Sequence, residues 1–178
     1  VASLTAAQIA GLDATDMAEF TNGQLAALST TQVRALTATA MGSLTEAQIS
    51  ALTTAQVQAL STTALSGLAD TQLGALTTQQ IGALTTAQMR VLTADNIAAF
   101  GETQVAALSG SQLQQLSDTS LSALAESQVA ALSTTQITAL RANQLSALDT
   151  SDMAEFSTSQ IAAMTTTQLR GLSTTNVA

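Results

Sequence analysis

Two short stretches gather the groups best able to do chemistry. Asp13, Asp16 and Glu19 stand at successive steps of three, and the trio returns as Asp149, Asp152 and Glu155. Carboxylates supply the hard oxygen ligands that calcium takes, above all outside a cell. A plainer role competes with this. Asp13 and Asp149 stand where a helix N-cap is needed, and Asp16 and Asp152 fall in the first turn, where negative charge suits the helix dipole. Neither stretch has the spacing of an EF-hand loop or of the Gly/Asp-rich calcium nonapeptide. Capping is the stronger reading, and these six residues stay as a weak calcium candidate.

The rest of the chain is poor in reactive groups. It has no His and no Cys, which removes the usual general base, the thiol nucleophile and most transition-metal ligands. Ser and Thr are abundant, but no activating base accompanies them and helix capping accounts for them. No catalytic residue, resident metal or cofactor is expected, and the chain reads as a non-enzyme. Arg34, Arg90, Arg141 and Arg170 are too scattered to form a basic patch. As rim contacts or local ion pairs each is worth at most about 1 kcal/mol. A net charge of −8 disfavours nucleic acid and anionic membranes as partners. Apolar runs are short throughout, so membrane insertion is not expected.

What positions these groups is an octapeptide repeat that never slips. Every eighth residue from Leu4 to Leu172 is apolar, and so is the residue five places after each, from Ile9 to Val177. With the octad lettered a to h and Leu at a, f is always Ile, Val, Leu or Met. Position b is Ser or Thr in 16 of 22 copies, e is Gln in 15, and h is mostly Ala or Gly. One long helix cannot carry this pattern, because eight steps of about 100° each turn the apolar pair by roughly 80° per octad. A β-solenoid is the alternative that periodicity allows. Strands, however, favour β-branched and aromatic residues, and the Gly/Asn turn signals are missing.

Short helices fit nearly every position. Ser/Thr-x-x-Gln is a capping box, and the apolar pair a and f brackets it as a hydrophobic staple. Leu52-Thr53-Thr54-Ala55-Gln56-Val57 shows both. Each octad therefore starts a helix at b that runs from c to the next a, about seven residues. Such helices are too short to stand alone. They must pack a and f against neighbouring octads, with small residues at h allowing backbones to approach. The expectation is an all-α solenoid of very short helices joined by single cap residues, one continuous array of 22 repeats over positions 1–178.

A longer period lies above the octad. Residues 13–20 return at 149–156, and Arg34 returns as Arg170, both 17 octads on, so that 1–42 resembles 137–178. Val1 and Val177 both occupy f, in register and without a polar capping repeat at either end. That pattern suits stacking into a longer array.

Phrases such as Leu-Thr-Thr-Ala-Gln-Val and Ala-Leu-Ser-Thr-Thr-Gln-Val resemble the degenerate octapeptide repeats of very large secreted or surface proteins of proteobacteria. The resemblance covers essentially all 178 residues. It implies an extracellular or cell-surface, non-enzymatic filament subunit, stalk or adhesin segment, often exported in one step. The expected partner is a second copy of the chain, end to end or side by side, with other surface components as a further class. The alternative is a binding scaffold whose Thr/Ser/Gln face takes a partner, a glycan or ice.

Overall fold

The computed structural model describes residues 1, 3–173 and 176; Val177, expected to close the apolar register, lies outside them. Among the described residues there are 21 helices and no strand, the first at Ala6–Ala10 and the last at Thr166–Gly171. The fold is therefore an α-solenoid of octads rather than a β-solenoid.

Each helix begins where the capping residues place it. Thr53 is extended (φ −73°, ψ 157°), its hydroxyl accepts from the Gln56 N–H, and its own N–H donates to Gln56 Oε1 at 2.8 Å. This reciprocal pair satisfies two N–H groups that a helix start leaves without partners. The helices are shorter than expected, spanning four letters at Thr62–Leu65 and six at Thr54–Ala59. Their last turn tightens: the N–H of the next a residue bonds the carbonyl of f three positions back, as Leu28 does to Leu25 at 3.1 Å. Residue a then leaves helical geometry itself, as at Leu60 (φ −56°, ψ 135°). Two extended residues, a and b, therefore turn the chain, where a single cap residue had been expected.

The chain forms two compact units, Val1–Val91 and Leu92–Ala178. In the first, each helix packs on the helix three octads later. Ala6–Ala10 lies on Thr30–Arg34, that on Thr54–Ala59, and that on Thr78–Ala83. Ala38–Gly42 packs on Thr62–Leu65 and Glu46–Ser50 on Asp70–Gly74 in the same way. The second unit follows the same rule, with Gly110–Leu113 on Thr134–Ala139 and Thr134–Ala139 on Thr158–Ala163. Within each unit one coil is three octads, with a helix on each of three sides.

Positions a and f fill the inside of the coil. Val57 and Leu65 are wholly buried, and Leu52 and Leu60 nearly so. Phe100 and Phe156 are buried in the a column in place of Leu. Burial of this order contributes about 1.5–3 kcal/mol per large side chain, which is what holds helices too short to form alone.

Candidate functional site

The most organised polar chemistry in the molecule sits at the corners of the coil. Gln56 accepts from the Thr53 N–H through Oε1, and its Nε2 donates to the carbonyls of Leu25 and Leu28, both at 2.8 Å, on the coil beneath. Gln144 does the same to Leu113 and Leu116, and Gln160 to Val129 and Leu132. Gln144 is completely buried. One side chain thus caps the start of its own helix and binds two carbonyls at the end of the helix below, that of a and that of f, the latter also accepting the N–H of a. The donor–acceptor offset in sequence is 28 and 31 each time.

Sequence reasoning found the capping half of this side chain and missed the inter-coil half. A signal was present. Four octads lack a capping side chain at b, namely those of Ala69, Gly101, Ala125 and Arg141, yet all keep Gln at e. In each of them the b N–H still donates to the Gln Oε1, at 2.6–2.9 Å. Gln that persists where its Ser/Thr partner is lost points to a second role beyond the reciprocal box. The same burial takes most of the e-position Gln off the polar outer face, where Ser and Thr at c and d are frequent.

The acidic octads are variants of this corner. Asp13 accepts from the N–H groups of Thr15 and Asp16, while Asp16 accepts from the Asp13 N–H at 3.0 Å. Asp149 and Asp152 repeat the reciprocal cap at 2.9 Å. Glu19 and Glu155 follow at the helix C-caps. No group of three or more acidic side chains among the described residues is arranged to hold a metal ion. The cap geometry accounts for both aspartate pairs.

Asp152 keeps only half of the glutamine's function, because a carboxylate accepts but has no N–H to give. The inter-coil bond runs the other way here: the Ser122 hydroxyl, on the coil below, donates to Asp152 at 2.7 Å. A cavity of about 10 Å³, room for one water, lies against Leu121, Leu124, Asp152, Glu155 and Phe156. Glu155 is partly buried beside it. Burial first, then the charges of Asp152, Glu126 and Asp149, raise its carboxyl above the ordinary value of 4.5.

A second register explains the small residues. Position h of one helix meets position c of the helix on the coil below. A Cβ on Gly67 would stand 2.3 Å from the Ala38 carbonyl oxygen, and one on Gly110 would stand 2.5 Å from the Ala139 Cβ. Glu155 and Glu126 occupy the same h-over-c pair, which is why their charges meet. The Gly67 contact lies where the column of e residues reads Ala40 and Ala64. With no side chain at Gly67, the backbones themselves come together.

No described helix is long and apolar enough to cross a membrane. Capped octads, a three-octad coil and glutamine-clamped corners together define an octapeptide-repeat α-solenoid. The family model of the ALTTAQ repeat matches the sequence four times, at residues 17–54, 51–86, 82–110 and 145–178. These matches span most of the chain, which belongs to the ALTTAQ repeat family. Among curated proteins, none matches it closely enough to serve as a relative.

Proposed function

We propose that the chain is a non-enzymatic structural element of an extracellular filament, fibre or surface stalk, built by stacking coil upon coil. The observation that supports this is the corner glutamine. Each clamp spends an amide donor on the coil below, and the carbonyls at the corners of its own coil are left for the coil above. The same donor–acceptor pattern recurs with every coil, so a further coil adds without any change in chemistry. Negative-stain electron microscopy of the purified chain across a concentration series tests the reading. Filaments that lengthen with concentration are expected; particles of single-chain mass at every concentration overturn it.

A binding scaffold is the second reading. It is favoured by the exposed hydroxyls at c and d, such as Thr134 and Thr135, which recur at the same height on successive coils.

A further inference from the structure

Charge is unevenly distributed around the second unit. Its acids fall on two of the three sides of the coil. Glu102, Glu126, Asp149, Asp152 and Glu155 belong to the octads of helices Glu102–Ala106, Glu126–Ala130 and Thr150–Ala154. Asp95 and Asp118 lie on the side that begins with Ala94–Ala98 and Asp118–Ser122, which also carries Arg141 and Arg170. The third side, formed by Gly110–Leu113, Thr134–Ala139 and Thr158–Ala163, has no charged residue at all.

That side is a field of short hydroxyls and methyls. Ser111, Thr135 and Ser159 form an exposed row at d, one per coil, with Thr134 and Thr158 beside them at c. Ser109 and Ser157 hold hydroxyl pairs with Ser111 and Ser159 at 3.0 and 3.1 Å, which fixes the ends of the row. Gln114 reaches across to the Ala139 carbonyl at 2.7 Å and lies along the face rather than standing out from it.

We infer that this uncharged side, centred on Thr135, is a lateral contact surface for a second copy of the chain. The argument is electrostatic. A copy with a net charge of −8 is repelled from the side that carries Glu102, Glu126, Asp149, Asp152 and Glu155, because bringing like charges together is strongly disfavoured, whereas Arg141 and Arg170 balance Asp95 and Asp118 on the next side. The uncharged side lets two copies approach without that repulsion. A side built of one row repeated per coil meets its own image in register, as a self-complementary contact requires. Each coil then adds a weak contact of Thr methyls and hydroxyls, and the contacts sum along the stack. No aromatic side chain stands in the exposed rows of this face to stack on a sugar ring, which favours the second copy over a glycan.

The inference rests on the stacking proposed above but is tested separately. The chain has no cysteine, so one introduced thiol reports on one position. Thr135→Cys is compared with Thr103→Cys, the same d position on the acidic side, using a short bismaleimide on the 178-residue chain. Cross-linked dimer from Thr135→Cys well above the level from Thr103→Cys is expected, and its loss when Ser111→Glu and Ser159→Glu are added. Equal cross-linking from both thiols, or none from either, overturns the lateral contact. Filaments that form without Thr135-specific cross-links would leave the stacking reading intact, whereas specific cross-links without filaments would remove only that reading.

Discussion

Ser122 and Asp152, on successive coils, share a 2.7 Å hydrogen bond that runs opposite to the bond at the glutamine corners. At those corners the upper coil donates to carbonyls below. Here the lower coil donates to a carboxylate above, and the carbonyls of Leu121 and Leu124 lose the amide they would otherwise meet.

Restoring the amide should tighten this joint. Asp152→Gln is expected to raise stability by about 1 kcal/mol, the net worth of an added buried hydrogen bond, and to remove one of four neighbouring carboxylates. A urea titration of wild type and variant checks this; an unchanged or lower midpoint would count against it.

The two halves of the clamp should differ in weight. Thr53→Ala removes one cap bond and should cost about 1 kcal/mol. Gln56→Leu leaves the Thr53 N–H and the buried Leu28 carbonyl without partners, takes a second donor from the Leu25 carbonyl, and should cost about 3 kcal/mol. Equal losses in the same urea titration would mean that the amide does no more than cap its own helix.

Acidification should favour the folded second unit around Glu155. Its carboxyl is raised in the folded state by burial and by Asp152, Glu126 and Asp149. The folded chain therefore holds the proton more tightly than the unfolded one. The resulting stabilisation is fully present below the unfolded value near 4.5 and is lost as pH rises through the raised value. Glu155→Gln should flatten stability against pH across that window and raise it at neutral pH. Thermal melts from acid to neutral pH read both effects, and parallel curves for the two proteins would contradict the prediction.

Glycines should divide by register. Gly67→Ala drives a Cβ to within 2.3 Å of a backbone oxygen and should cost about 1–3 kcal/mol. Gly23 has nothing within 4 Å of an added Cβ, so Gly23→Ala should gain up to about 1 kcal/mol in helix propensity. Thermal melts of the two variants should move in opposite directions.

The local half of this architecture could be read from the sequence. Caps, staples and the a/f core act within one octad, and Thr53, Gln56 and Val57 carry them in nearby letters. The coil could not be read in the same way. Three octads per turn is a relation between Gln56 and Leu28, and no residue near Gln56 announces so distant a partner. Helix length was overestimated at Leu60 for a related reason. A capping argument describes how a helix starts, while its end is set here by residue a turning extended at the corner that the next coil clamps. The aspartate octads were legible as caps. The reversed bond from Ser122 was not, because it exists only once coils are stacked.

An octad set on a coil of three behaves like an index wheel. Within a unit, gain or loss of one octad keeps every cap and staple, yet gives each glutamine and each h residue a new partner below and turns all later octads to the next side. Gain or loss of three restores the original facing. Where the re-paired h and c residues are small, length changes therefore redistribute the acidic and uncharged sides, so surface pattern can evolve by counting octads while the a and f core keeps its composition.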